Sequence, residues 1–249
     1  MFSSLPVLTF HAIDERAEVI SFPPRLFERA MARLYQSGYR TLDLADMAAC
    51  LRNRDTLPDR SVVITFDDGY QSVYDHAFPV LQRYGFSATV FLTVGENVER
   101  SDTSRLPSMC DRPMLSWGEI KEMQRAGIAF GGHTLTHPNL TRAAPERITI
   151  EMVEGKKIIE DALGASVPTF AYPFGRYDRR SREIASRHFA CACSDKLGFT
   201  SQASDLYALE RVDMYYLASE RWLSLMPTRF FPWYVRARSV PRRLRRLLG

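Results

Sequence analysis

The chain has 249 residues, 45% of them hydrophobic and 25% charged, which excludes a wholly disordered polypeptide and leaves room for one sizeable core. No run approaches the ~18–20 apolar residues of a membrane span. The net charge of +4 hides an asymmetry: the last 29 residues hold eight arginines and no acid, against 25 bases and 29 acids in the first 220. The expected organisation is therefore a mildly acidic body over 1–220 and a basic appendage over 221–249. An acidic body argues against nucleic acid as a partner. The first residues lack the basic stretch and apolar core of a secretory signal, so a cytoplasmic protein is expected.

In chain order, 7–12 reads as a strand. Residues 24–37 follow as a helix, with Leu26, Phe27, Ala30, Met31 and Leu34 at helical spacing and Gly38 as its stop. A strand at 62–66 precedes a helix over 72–84 that ends at Gly85, and 88–93 is again a strand. Residues 95–115 are polar with two prolines and read as a long excursion loop. Ser116 and Glu119 have capping-box spacing for a helix stopping at Gly127, in which Trp117 pins the helix start. A strand at 128–132, a helix over 145–163, a strand at 169–172 and a helix over 178–188 come next. Strands at 189–193 and 207–212 complete the pattern. Tyr35, Tyr39, Phe78 and Tyr84 read as helix packing.

Such alternation means parallel strands joined by crossover helices. Seven or eight units in ~220 residues suit a single-domain α/β barrel, with an open doubly wound sheet as the alternative. Cys50, Cys110, Cys191 and Cys193 are few and irregular, so neither a disulfide framework nor a zinc ribbon is expected. Cys191 and Cys193 are expected to face opposite sides of a strand.

The chemistry gathers at predicted strand ends, where barrels place functional groups. The strand at 62–66 runs straight into Asp67, Asp68 and Gly69. Two adjacent acids leaving water repel each other and need a cation or several donors to offset their desolvation. That suits a site where one acid binds a metal and its neighbour handles protons. His133 and His137 share the segment Gly131-Gly132-His133-Thr134-Leu135-Thr136-His137-Pro138. The glycines and Pro138 disfavour a helix there, so a curled loop presenting both rings to one point is expected. One carboxylate and two imidazoles form a three-ligand centre with open positions. Zinc is the first choice, and iron, cobalt or nickel fit the same donors.

Thr65-Phe66-Asp67-Asp68-Gly69 and His133-Thr134-Leu135-Thr136-His137 resemble the first two motifs of the polysaccharide deacetylases, the NodB-homology carbohydrate esterases. The resemblance implies a distorted (β/α)7-8 barrel and metal-dependent removal of acyl groups from sugars. It implies that Asp68, His133 and His137 bind the metal and that Asp67 is the general base. Tyr172, Pro173 and Phe174 fall in the third motif, where the backbone N–H at the place of Phe174 faces the oxyanion. That motif usually begins with an arginine bracing the base; here Ala171 stands instead, with Arg211 or Arg176 as the replacement. No histidine follows His188, and His11 resembles the general acid of members that supply it from the N-terminus. Asp195 and Asp213, near late strand ends, either touch substrate hydroxyls, cap helices or sit on the surface.

After Pro227 the chain reads Phe230-Phe231-Pro232-Trp233-Tyr234, then a run of arginines with Leu244, Leu247 and Leu248 on one helical face. Aromatics beside a basic amphipathic helix describe peripheral membrane contact through 227–249, at the inner face. The leading expectation is removal of N-acetyl groups from an N-acetylated glycan, polymeric or lipid-linked. A deformylase or other amide hydrolase, and a non-catalytic glycan-binding module, are the alternatives.

Overall fold

The structure, a computed structural model, describes residues 4–95 and 104–248, with side chains described through Ser239. Seven strands form the frame: β1 (Val7–Phe10), β2 (Ser61–Phe66), β3 (Thr89–Leu92), β4 (Ala129–Gly132), β5 (Thr169–Ala171), β6 (Cys191–Leu197) and β7 (Leu209–Asp213). Each pairs in parallel with its successor, and β7 returns to β1 through Val212 beside Leu8. The sheet is thus a closed seven-stranded barrel, and the open-sheet alternative is excluded. The helices are α1 (Pro24–Gln36), α2 (Leu44–Asn53), α3 (Phe78–Tyr84), α4 (Trp117–Arg125), α5 (Pro145–Thr149), α6 (Gly155–Leu163), α7 (Arg179–His188), α8 (Glu220–Leu223) and α9 (Phe231–Leu248).

Period-two alternation sorts the strand residues into two sets. Leu8, Phe10, Ile64, Phe66, Val90 and Leu92 pack outward against α1, α3 and α4 residues such as Phe27, Met31, Leu81 and Ile120. Each such fully buried side chain contributes roughly 1.5–3 kcal/mol relative to exposure. Val7, Val63, Phe91, Ala171 and Leu209 point inward and meet Leu44, Met47, Ala48 and Leu51 of α2. That helix, absent from the sequence expectation, plugs the barrel floor; the Asp43 side chain caps it by accepting from Ala45 N–H at 2.7 Å. Gly131 is required inside: a Cβ there would stand 2.4 Å from the Phe91 ring and 2.7 Å from Thr169 Oγ1.

Three sequence expectations need correction. Cys191 and Cys193 lie two positions apart, so they share a face, and both join the inner cluster; all four cysteines are free thiols. The sixth strand begins at Cys191 and not at Phe189, whose ring packs on Phe170 at 4.9 Å. The 145–163 helix is broken by a π-helical turn over Ile150–Glu154.

The capping box at Ser116 forms as expected, and Trp117 is fully buried at the helix start. Of the excursion loop, residues 96–103 lie outside those described. Its remainder is fastened by Arg112, buried and bonded to Asp14, Glu18 and Ser21 of the loop after β1. Past Glu220, Leu223, Met226, Phe231 and Val235 sink into the main core, while Phe230 and Trp233 stay exposed. The side chains of Leu244, Leu247 and Leu248 lie outside those described. No helix among the described residues is long and apolar enough to cross a membrane.

Candidate metal centre and pocket

Strand β2 carries Val63 and Thr65 inward, and Asp67 continues that column past the strand end. Its N–H donates to Phe10 carbonyl at 3.0 Å, extending the ladder by one rung. Asp68 would next point outward, but it adopts φ 75°, followed by Gly69 at φ 89°. This left-handed bend, which Asp tolerates better than most residues, turns Asp68 into the same pocket as Asp67.

His133 follows β4, its N–H bonded to Leu92 carbonyl at 2.9 Å. Its Nδ1 donates to Ala171 carbonyl at 2.7 Å, which leaves the Nε2 lone pair free, 3.3 Å from Asp68 Oδ1. The next residues curl as a loop, with Thr134 at φ 71° and His137 at φ 58°. Thr134 Oγ1 accepts from His137 N–H at 3.0 Å, and His137 Nε2 comes to 3.4 Å from Asp68 Oδ1. One ligand atom from each of Asp68, His133 and His137 lies within 4.8 Å of the others.

The electrostatics at this point ask for positive charge. Asp68 Oδ1 is buried and has no hydrogen-bond partner. Burial works to raise the Asp68 pKa, yet the His133 imidazole 3.3 Å away and the charge of His11 hold it well below the usual carboxylate range. Burial works to lower His133, yet Asp68 and Asp67 raise it. His137 is pushed down to about 4 by burial and by His133, which keeps it neutral, the form in which imidazole binds a metal. An orphaned carboxylate oxygen facing two imidazole nitrogens fits a divalent ion of the zinc type.

Asp67 is treated differently. Arg211 Nη1 and Nη2 donate to its two oxygens at 2.7 and 2.8 Å, and Arg211 Nε donates to Ser194 carbonyl at 3.1 Å. Both side chains are buried. Burial opposes ionisation of Asp67, but the Arg211 charge and its hydrogen bonds prevail and depress its pKa. Of the two arginines weighed, Arg211 is thus the one bonded to Asp67, whereas Arg176 is exposed. His11 Nε2 lies 3.8 Å from Asp67 Oδ2, the oxygen that also accepts from Arg211 Nη2, and its side chain is 26% exposed.

These groups line one pocket of about 430 Å³, together with Asp195, Asp213, Tyr215 and Phe174. Phe174 sits at φ 57° with its ring 4.7 Å from His137. The neighbouring Gly175 cannot be replaced freely, because its φ is +63° and a Cβ would lie 2.2 Å from Asp195 Cβ. Tyr172 departs from expectation: its ring is in the core beside Phe170 and Tyr177, and its hydroxyl donates to Tyr207 carbonyl at 3.0 Å. Pro173 is likewise buried and absent from the pocket lining. The strand-end residue 171 faces inward, so 172 must face out.

Sequence reasoning missed Glu151, which holds the His133–His137 loop from beneath, and the Ser194 carbonyl that orients Arg211. A signal for the first was present, since Glu151 interrupts an apolar stripe that runs through Ile148, Met152 and Ile159.

With this geometry established, comparison with known proteins identifies the lineage. Residues 54–189 match the polysaccharide deacetylase family, a span that includes Asp67, Asp68, His133, His137 and Phe174 but not His11 or Arg211. The Bacillus subtilis protein YxkH is 29% identical over 211 residues, which cover 84% of this chain and 71% of that protein. A poly-β-1,6-N-acetyl-D-glucosamine N-deacetylase of Staphylococcus aureus is 30% identical over 137 residues, half of this chain and 43% of that enzyme. This chain thus matches less than half of the staphylococcal enzyme's length. The deacetylase PplD of Streptococcus pyogenes, solved with acetate, superposes with a TM-score of 0.76 at 28% identity, covering 86% of this chain and 93% of PplD. The chain belongs to the polysaccharide deacetylase family.

Proposed function

We propose that this chain is a metal-dependent hydrolase that removes N-acetyl groups from amino sugars of a polysaccharide or a lipid-linked glycan precursor. The observation that carries the reading is the opposite treatment of two adjacent buried acids. Each Asp67 oxygen accepts one bond from Arg211 and keeps a further lone pair for a proton, while Asp68 turns an unpartnered oxygen toward two histidine nitrogens. Asp68, His133 and His137 would hold the ion, zinc first, with iron, cobalt or nickel acceptable to the same donors. When bound, such an ion supplies Lewis acidity, polarising the acyl carbonyl and acidifying water.

The protein's own groups divide the remaining work. Asp67 takes a proton from the attacking water, and Arg211 keeps that carboxylate ionised and fixed in orientation. The Phe174 amide is the donor for the developing oxyanion. His11 protonates the nitrogen as the carbon–nitrogen bond breaks, so water adds to the acyl carbon and acetate and a free amine leave. Kinship with a staphylococcal enzyme named for N-deacetylation of poly-N-acetylglucosamine supports this substrate class.

The test uses zinc-loaded protein and N-acetylglucosamine oligomers, with released amine and acetate as readouts. Asp67→Asn is expected to lower turnover about 10²–10⁴-fold. Full activity in that variant, or after chelation, would remove the proposal. The exposed Phe230 and Trp233, within a segment free of acids, support contact with an anionic membrane surface and so a lipid-linked substrate at its inner face. Co-sedimentation with anionic vesicles should fall when both aromatics become serine; unchanged binding would count against that contact.

A further inference from the structure

Among the described residues three acids are buried, Asp67, Asp68 and Glu151, and the reaction above uses only the first two. Glu151 is fully enclosed and lies outside the pocket lining. Its Oε2 accepts from the N–H groups of Leu135 and Thr136, each at 2.9 Å. Its Oε1 accepts from Thr136 Oγ1 at 2.7 Å and from Arg147 Nη2 at 2.6 Å. Its main-chain carbonyl accepts a further bond from Leu135 N–H at 3.1 Å. Every contact except that to Arg147 falls on the short segment between His133 and His137.

The helix is shaped for this contact. The π-helical turn over Ile150–Glu154 interrupts the α-helical ladder, so the Glu151 carbonyl turns to the loop. Gly155 lets the helix backbone approach, since a Cβ there would stand 3.1 Å from the Thr134 carbonyl carbon. The loop has little reason to hold its shape alone: Thr134 and His137 both occupy the left-handed region, which is unfavourable for non-glycine residues and most so for a β-branched one.

We propose that Glu151 is a positioning residue for the metal loop, holding residues 134–136 so that His133 Nε2 and His137 Nε2 converge on one point with Asp68. The inference rests on reading Asp68, His133 and His137 as metal ligands. Outer partners of this kind typically govern affinity by 10–100-fold.

The experiment titrates zinc into metal-stripped protein against a chromophoric chelator at pH 7. Thermal melts of the metal-free forms and visible spectra of the cobalt-loaded forms accompany it. Glu151→Ala is expected to weaken zinc binding about 10–100-fold and to alter the cobalt spectrum. Glu151→Gln, which keeps an acceptor for the two amides, should retain most of the affinity, and Glu151→Asp, one methylene short, should fall between. A folded Glu151→Ala that binds zinc like wild type, or a series that loses melting temperature with no change in zinc affinity, overturns the proposal. Where Glu151→Ala does not fold, Glu151→Asp decides: affinity equal to that of wild type is the overturning result. A wild-type protein that binds no zinc would instead overturn the metal reading itself, and this inference with it.

Discussion

Replacing Arg211 with methionine isolates the interaction on which Asp67 depends. Methionine keeps much of the buried volume while deleting both hydrogen bonds to Asp67 and the one to Ser194 carbonyl. The two-point contact puts the charge centres about 4 Å apart, which corresponds to ~4 kcal/mol at an effective dielectric of 20. Leaving one member of a buried pair without the other costs about 3–5 kcal/mol by a separate route of measurement. The two figures agree, so Arg211→Met is expected to lose ~4 kcal/mol, a large part of a typical domain's 5–15 kcal/mol.

The loss should be shared with the partner. In the double variant Arg211→Met with Asp67→Asn no buried charge is stranded, so its cost should fall short of the sum of the singles by about 2 kcal/mol. Urea unfolding at pH 7 with a chelator present measures all four proteins without a contribution from bound ions. A single-variant loss below ~1 kcal/mol, or a strictly additive cycle, would refute the argument that this pair is a coupled, desolvated unit.

Three further outcomes follow from the geometry. His11→Ala should lower kcat about 10²–10⁴-fold in the amine-release assay with zinc affinity unchanged, and near-normal kcat would remove His11 from the reaction. Gly175→Ala must hold a side chain at φ +63° and drive its Cβ to 2.2 Å from Asp195, so a loss above ~1 kcal/mol in urea unfolding is expected; a neutral result would mean that this turn relaxes freely. Tyr172→Phe removes only the hydroxyl bonded to Tyr207 carbonyl, so stability should fall by about 0.5–1.5 kcal/mol while kcat/KM holds; a tenfold loss of kcat/KM would return Tyr172 to the site.

Much of the site was legible because its parts are local in the chain. A strand signal running into Asp67, Asp68 and Gly69 marks a strand end, and flanking glycines and a proline mark the His133–His137 segment as a loop. Both are short-range rules of backbone sterics, and both features formed. Period-two alternation puts Cys191 and Cys193 on one face, contrary to the expectation that they face opposite sides. Motif resemblance places Tyr172 in the site; Ala171 faces inward, so the same alternation turns Tyr172 out into the core. Helix α2 went unread although its signal was present: Leu44, Met47, Ala48 and Leu51 keep i, i+3, i+4, i+7 spacing behind the Asp43 cap.

The amino-acid sequence alone determined the alternation of strands and helices, the strand ends that carry the chemistry, and the three residues suited to a metal. These depend on neighbours within a few positions. It did not determine which arginine braces Asp67, since Arg211 lies 144 residues away and reaches the carboxylate only once β7 closes against β1. Nor did it assign Glu151, whose partners lie on a loop that a π-helical turn and Gly155 bring within reach. Only barrel closure excludes water from these charges. Burial is what turns such long-range pairs from weak surface contacts into interactions of several kcal/mol.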